Sequence, residues 1–263
     1  MKRRIAPIVA LGCAVTCAHA EDGRGALAGN LTAASQYVSR GFQQSWGRPA
    51  LQGGVEYGAP NGWYAGSWLS TISPYAIEGG RVEWDIYAGK RGKFGALNYQ
   101  VALYDYRYPG ARVTATNTRY GYSELVAGMT WCEWSLSYSL TVSRDYFGDN
   151  SQTLGIGANS HSRGSGYIDL ARNVDLGHGY SLALHYGRQR VNHFSSYSWQ
   201  DASATLSRRL GGFDVALAYA RGWNKAGVYR HVTTGEPDRQ GRLHFSNPAA
   251  GTWWASIGHE FSF

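Results

Sequence analysis

The sequence is poor in cysteine and lacks long apolar runs. Two of its three cysteines, Cys13 and Cys17, fall within the first twenty positions, so Cys132 stands alone in the rest of the chain. A single cysteine cannot build an intramolecular disulfide framework, and we interpret Cys132 as an unreactive residue in a turn. Beyond position 20, no stretch reaches the roughly eighteen apolar residues that a transmembrane helix requires. Disulfide scaffolds and helical membrane proteins are therefore excluded.

Strong net charge is also absent. The formal charge is +7, and three of the positive charges are Lys2, Arg3 and Arg4 near the start of the chain. The remainder is too weakly basic to indicate binding to DNA or RNA, because such proteins concentrate Lys and Arg against phosphates. We expect no nucleic acid partner.

The first twenty residues have the pattern of a secretory signal peptide. Three basic residues precede an apolar run from Ile5 to about Val15, and Ala18-His19-Ala20 supplies small residues at a cleavage position. The pattern predicts a signal peptide at 1–20 and a mature domain at 21–263, and hence an exported protein.

Aromatic residues and glycine are abundant. Aromatics make up 14% of the chain, with 19 tyrosines and 10 tryptophans, and there are 35 glycines. Mean hydropathy is nevertheless only −0.36. An exported chain that is polar on average and rich in aromatics is typical of an outer-membrane β-barrel.

Period-two alternation supports a barrel, because each strand must direct apolar side chains to lipid and polar or small ones to the lumen. The segment Trp134 to Ser143, WSLSYSLTVS, alternates without a break. The same pattern occurs at 82–88, 97–103, 180–186 and 213–219. Each of these segments is predicted to be a strand with one face toward lipid and the other toward the lumen.

About twelve strands are predicted, an even number as in bacterial single-chain barrels. They lie near 27–38, 49–57, 63–72, 81–90, 96–106, 118–130, 134–144, 164–172, 180–190, 198–208, 213–222 and 252–263. Short connections at 58–61, 91–95, 131–133, 173–179 and 209–212 alternate with long ones at 39–48, 73–80, 107–117, 145–163, 191–197 and 223–251. This alternation predicts an all-β, transmembrane antiparallel β-barrel with short periplasmic turns and longer extracellular loops, in the outer membrane of a Gram-negative bacterium.

The last predicted strand, Trp253 to Phe263, must pair with the strand near 27–38 so that no open edge remains in the membrane. Its aromatic end resembles the signal by which the barrel assembly machinery recognises its substrates. Outer-membrane lipid and lipopolysaccharide are the other expected partners.

A family resemblance lies in the segment from Ser35 to Ser70. Tyr37-Val38-Ser39-Arg40-Gly41, then Pro49-Ala50-Leu51-Gln52-Gly53, then Gly62 to Ser70 resemble the opening signature of the TorF-type putative porins, a proteobacterial family. Further similarity occurs at 82–92, 106–110, 122–129 and 181–187, whereas the 223–251 loop departs from the pattern. The resemblance implies an outer-membrane barrel of the porin type, without an agreed substrate.

Strand alternation also predicts which side chains line the interior. The candidate pore-lining residues are Arg40, Gln52, Glu83, Asp85, Gln100, Glu124, Asp169, His185 and Asp201. Several arginines fall at the loop-side ends of strands, namely Arg40, Arg107, Arg119, Arg144, Arg188 and Arg221. An acidic middle and a basic outer mouth are therefore expected, and such charges would bias which solutes pass. Arg40 has two interpretations, as a residue of the mouth or as the partner of a lumen carboxylate.

Catalytic and metal chemistry find little support. Glu83 and Asp85 could act as a carboxylate pair or hold a hard cation. The favoured interpretation is that they are wall residues that hydrogen-bond Arg or Tyr. The histidines lack metal-ligand spacing, and no serine elbow occurs. We expect no enzyme, no metal site and no cofactor.

The sequence thus predicts a porin-like channel for passive diffusion of small polar solutes. The alternative is a closed barrel whose extracellular loops, above all 223–251, bind a ligand, a surface partner or lipopolysaccharide. Twelve strands lie between barrels filled by side chains and open aqueous pores, so the pattern leaves open whether the lumen conducts.

Overall fold

The computed structural model describes residues 25–263, and the predicted signal peptide lies outside that range. Twelve long strands account for most of the fold. In chain order they are β1 (Ala26–Ala34), β2 (Ala50–Gly58), β3 (Trp63–Thr71), β4 (Val82–Phe94), β5 (Leu97–Arg107), β6 (Tyr122–Trp131), β7 (Trp134–Thr141), β8 (Gly166–Gly177), β9 (Tyr180–Arg190), β10 (Trp199–Leu210), β11 (Phe213–Trp223) and β12 (Thr252–Ser262).

The strands form one closed antiparallel barrel, which confirms the predicted fold class. Neighbours in sequence are neighbours in the sheet, and β1 closes the barrel against β12. At this seam Ala28 faces Ser262 and Ala34 faces Ser256. The predicted pairing of the last strand with the first is thus confirmed, and every strand has two partners, as strands in a lipid environment require.

Side chains alternate across the wall as the sequence predicts. On β7 the rings and chains of Trp134, Leu136 and Tyr138 are exposed on the outside, while Ser135 and Ser139 are buried inside. Exposed apolar residues outside and buried polar residues inside reverse the arrangement of a protein that folds in water.

The seam also shows why a small residue is needed at one position. The ring of Phe261 on β12 lies over Gly29 on β1, where an added Cβ would stand 2.4 Å from the ring. The same Cβ would be 3.1 Å from the carbonyl oxygen of Gly54 on the other neighbouring strand, β2. Gly29 therefore allows an aromatic side chain to lie flat across the closing pair of strands.

Connections sort by length onto the two ends of the barrel. One end carries the tight turns after β2, β4, β6, β8 and β10, and we call it the turn end. The other carries the long connections at 35–49, 72–81, 108–121, 142–165, 191–198 and 224–251, and we call it the loop end. The exposed Cys132 lies in the turn after β6, as expected.

Several predicted strand boundaries were wrong, among them those of β4, which continues to Phe94, and of β6, which begins at Tyr122. The first strand ends at Ala34, not near residue 38, because the chain then bends inward. The connection at 173–179 is mostly strand, since β8 continues to Gly177 through a bulge between Asp175 and Gly177. Positive φ angles at His178 and Gly179 complete the reversal in two residues, so a longer turn is unnecessary.

The loop end is capped by packed aromatic side chains. We call this group the aromatic cap; its buried members include Tyr37, Trp68, Tyr106, Tyr108, Tyr122, Tyr146, Phe194 and Trp199. Within residues 25–263 no helix is long and apolar enough to cross a membrane, and the helices that occur are the short turns Ser151–Leu154 and Ser195–Tyr197.

Candidate functional site at the loop end of the lumen

The first long connection folds into the barrel. We call residues 35–49 the inward loop; within it Val38–Ser39 pairs with Phe42–Gln43 to form a small hairpin. Arg40 and Gly41 make its tip, with φ values of 46° and 80°. A Cβ at Gly41 would stand 2.5 Å from the side chain of Asp201 on the barrel wall, so glycine permits both the turn and the close approach.

Aromatic and backbone contacts fix the inward loop in place. The indole Nε1 of Trp199 donates to the carbonyl of Arg40 at 3.0 Å. The ring of Phe42 packs edge-on against Trp199 and Tyr229, with centroids 4.9 and 4.8 Å apart. Because Tyr229 belongs to the 224–251 loop, the first and last long connections hold each other across the loop end.

The guanidinium of Arg40 lies against the opposite wall. Its two terminal nitrogens donate to the carboxylate of Glu124 at 2.6 and 3.1 Å, and one also donates to Gln189 at 3.3 Å. Its carbon lies 4.4 Å from the ring centroid of Tyr167, a cation–π distance. The Arg40 side chain is 10% exposed and Glu124 is fully buried. We call Glu124, Tyr167 and Gln189 the guanidinium site.

A histidine with two carboxylates adjoins this site. His185 contacts Asp169 at 3.1 Å and Asp201 at 3.4 Å. The hydroxyl of Tyr167 lies 3.1 Å from His185 and donates to Asp201 at 3.0 Å. The Tyr167 ring that stacks on Arg40 is therefore held by Asp201, whose Cβ packs against the hairpin tip.

Glu83 and Asp85 complete the acidic surface. Oε1 of Glu83 accepts a hydrogen bond from Tyr108 at 3.1 Å, which supports the interpretation as a wall residue. The Tyr37 hydroxyl also hydrogen-bonds to Glu83. Glu83 is 5% exposed and Asp85 is fully buried. The predicted acidic middle thus lies nearer the loop end, where the inward loop covers it.

A second arginine pair lies further toward the turn end. Arg91 donates to Glu56 at 2.7 Å, and its guanidinium carbon lies 4.4 Å from the Tyr64 ring. The Tyr64 hydroxyl donates to Gln100 at 3.4 Å. Arg91 repeats the chemistry of Arg40, but on a strand of the wall instead of a loop.

Inward side chains are more deeply buried at the loop end of the lumen than toward the turn end. Glu124, Gln189 and Asp201 at the loop end have at most 1% of their surface exposed, so no water-filled passage touches them. Toward the turn end many inward positions are half-buried. Small or uncharged ones include Thr130, Ser137, Ser181, Ala183 and Ala216, and charged ones include Arg91, Asp214 and Glu260. Gln52, near the loop end of β2, donates to Ser70 at 3.3 Å. The inward loop covers Glu124, Gln189 and Asp201 at the loop end.

A row of neighbouring tyrosine rings lines the inner wall from the turn-end half to the loop end. Neighbouring rings have centroid separations between 4.6 and 6.2 Å. The rings belong to Tyr64, Tyr87, Tyr104, Tyr106, Tyr122 and Tyr146. Tyr146 comes from the 142–165 loop, so the row ties that loop to the wall.

The predicted basic outer mouth is not formed by the strand-end arginines. Arg107, Arg188 and Arg221 are exposed on the outside of the barrel, because each continues the outward row of its strand. The guanidinium of Arg107, for example, lies 5.8 Å from the centroid of the outward-facing Trp84. Arg119 and Arg144 are exposed in the loops, and Arg40 points inward.

All nine candidate residues predicted from the sequence have side chains on the interior side of the barrel. The sequence analysis did not identify three further residues that contact Arg40. These are Tyr167, Gln189 and Trp199. Alternation along β8, β9 and β10 could have identified them as inward. Their role depends on a loop that folds back into the barrel, and strand periodicity carries no information on that.

The fold is similar to that of solved outer-membrane porins. The NanC porin matches with a TM-score of 0.50 at 10% identity, over 88% of this chain and 97% of its own. The KdgM porin scores 0.48 at 8% identity, over 90% and 99%. An outer-membrane channel from Pseudomonas putida F1 scores 0.47 at 11% identity, over 91% and 96%. At such identities the likeness concerns the fold alone.

Sequence comparison yields a family without a known activity. No curated protein matches the chain. The TorF-type designation therefore stays a resemblance, whereas the porin-like fold it implied is observed. A family described as "Bacterial protein of unknown function (Gcw_chp)" matches residues 18–260, nearly the whole sequence, and the chain belongs to the Gcw_chp family.

Proposed function

We propose that the protein is a porin-like channel of the Gram-negative outer membrane, through which small polar solutes diffuse passively. The observation that carries the proposal is the combination of a closed twelve-stranded wall with a loop that covers the lumen at the loop end. A wall that filled its own interior would need bulky inward side chains along its whole height. Here the half-buried inward positions toward the turn end include small and uncharged residues such as Thr130, Ser181, Ala183 and Ala216.

The inward loop would act as the barrier. Hydrogen bonds, ring contacts and one ion pair hold its tip against the wall, and no covalent cross-link among the described residues fixes it there. Loops held this way open locally at much lower cost than strands, whose backbone groups are all paired. Opening would connect the half-buried polar surface at the turn end to the outside.

Planar-bilayer recording tests the proposal. Replacing residues 36–48 by a short Gly-Ser turn should raise single-channel conductance several-fold over the wild type, because the barrier is removed while the wall is kept. The matched control replaces the exposed 235–241 segment of the last loop by a short Gly-Ser turn. This change should leave conductance unchanged. If neither the wild type nor the variant without residues 36–48 conducts in any salt or at any voltage, the channel proposal is wrong.

The same recordings address the alternative of a closed barrel with ligand-binding loops. A barrel without conductance after removal of the inward loop would favour that alternative, since the wall itself would then be the barrier. The 224–251 loop would be the first place to look, because Arg242 and His244 meet Asp238 there at 3.0 Å on the exposed surface.

A further inference from the structure

Carboxyl groups outnumber basic side chains at the loop end of the lumen. Five carboxylates face this region, namely Glu83, Asp85, Glu124, Asp169 and Asp201. Among the described residues, two basic side chains face them, Arg40 and His185, and the latter is cationic only when protonated. Buried carboxylates are stable when cations or donors compensate them, so this region has capacity for a further positive charge.

Glu83 is a second buried carboxylate in this region. It is 5% exposed, and the hydroxyls of Tyr108 and Tyr37 hydrogen-bond to it. Arg40 is near enough to attract Glu83 electrostatically, so Glu83 and the guanidinium site belong to one region.

Arg40 already shows how this region binds a cation. The carboxylate of Glu124 receives the fork of nitrogens, the Tyr167 ring covers the flat face, and the Gln189 amide oxygen accepts a further hydrogen bond. A carboxylate, an aromatic face and an amide oxygen around one group are the components of an organic-cation site. The occupant, however, comes from a loop and not from the wall.

We propose that the guanidinium site binds organic cations of the guanidinium or alkylammonium class, and that Arg40 is a tethered occupant which such a solute displaces to open the channel. This inference rests on the proposed channel function. The solute would take the place of Arg40 between Glu124 and Tyr167, and the inward loop would lose its contact with the opposite wall. Glu83 would offer the solute a second carboxylate.

The aromatic faces determine the class of cation. Small metal ions prefer shells of oxygen ligands and retain their water, whereas guanidinium and alkylammonium groups are weakly hydrated and stack on rings. A tether gives Arg40 a millimolar effective concentration, so displacement should require solute at about that level. Tight binding is not expected, and a channel that releases its solute does not need it.

Bilayer recordings with guanidinium chloride as the probe test the inference. At constant ionic strength, replacing NaCl by guanidinium chloride in the low millimolar range should raise wild-type open probability several-fold. Arg40→Ala should conduct without guanidinium and lose the response. Arg40→Lys keeps the charge but fits the fork less well, so it should respond at lower guanidinium concentrations.

Arg91 offers a matched control, because it pairs with Glu56 at 2.7 Å and stacks on Tyr64 at 4.4 Å, close to the distances of Arg40, but belongs to β4. Arg91→Ala should retain the guanidinium response. In a tenfold gradient of guanidinium chloride, the reversal potential of Arg40→Ala should indicate about tenfold preference for the cation over chloride, and Glu124→Gln added to it should reduce that preference.

The outcomes separate the two proposals. Conductance with equal responses to NaCl and guanidinium chloride, or a response that survives Arg40→Ala, overturns the cation site and leaves the channel. Loss of the response in Arg91→Ala but not in Arg40→Ala also overturns it. Absence of conductance in every variant, including the one without the inward loop, overturns the channel and the cation site together.

Discussion

At the scale of single residues, the burial of Arg40 and Glu124 determines how each can be changed. The pair is bidentate and nearly inaccessible to solvent. A buried ion pair adds little over an apolar pair of equal volume, but removal of one partner leaves the other charge buried alone.

We therefore expect Arg40→Met to destabilise the barrel by about 3–5 kcal/mol, and Arg40→Met with Glu124→Leu to recover most of that loss. Urea unfolding of the detergent-solubilised protein, followed by tryptophan fluorescence, measures both. An additive double variant would mean that the two side chains do not interact.

A titratable residue in the 142–165 loop should make that loop sensitive to pH. Burial, and next the neighbouring Asp145, raise the pKa of the Asp149 carboxyl from 3.8 to about 8. The folded loop then holds this proton more tightly than the unfolded chain does. The associated stability is complete below pH 4 and is lost as the pH rises through about 8.

Hydrogen exchange should accordingly show faster opening of residues 142–165 at pH 9 than at pH 6, after correction for the intrinsic exchange rate. Asp149→Asn should abolish this difference because the amide does not ionise. Equal protection of the wild-type loop at both pH values would contradict the assignment.

At the scale of elements, strands and loops differ in how far the sequence predicts them. The alternation of apolar and polar residues predicted the strands, because successive side chains of a strand point in turn to lipid and to the lumen. The 82–94 and 166–177 strands ran further toward the turn end than predicted, since their last residues are polar and resemble a turn. The inward loop was not predicted to enter the lumen, because its fold depends on contacts with Glu124, Trp199 and Tyr229 from distant parts of the chain.

The closing pair of strands should tolerate little added volume. Gly29→Ala places a methyl group 2.4 Å from the Phe261 ring and 3.1 Å from a backbone oxygen of β2. We expect a loss of roughly 1–3 kcal/mol from overpacking, and partial recovery when Phe261→Ala is added.

Heat-modifiable migration on gels and the yield of folded protein in the outer membrane provide the measurement. Gly128→Ala is the control, because its methyl would meet no atom closer than 3.4 Å. If Gly29→Ala behaves like Gly128→Ala, the ring does not pack across the seam as the structure shows.

At the scale of the whole molecule, charge should determine ion preference. If the loop end lies on the conduction path, simultaneous Glu83→Gln, Asp85→Asn and Glu124→Gln should shift selectivity toward anions. The reversal potential in a KCl gradient measures the shift, best in the protein without the inward loop, where Arg40 is absent. An unchanged reversal potential would place these side chains away from the path.

The seam between β1 and β12 has a consequence for the order of events in biogenesis. Ser35 and Ala255, which hydrogen-bond there, are 220 positions apart in the chain. Contacts at such separation form late, because most of the chain must be arranged before the ends can meet. Until the seam forms, the edges of β1 and β12 have unpaired backbone groups, and such exposed edges make an unclosed barrel prone to aggregation.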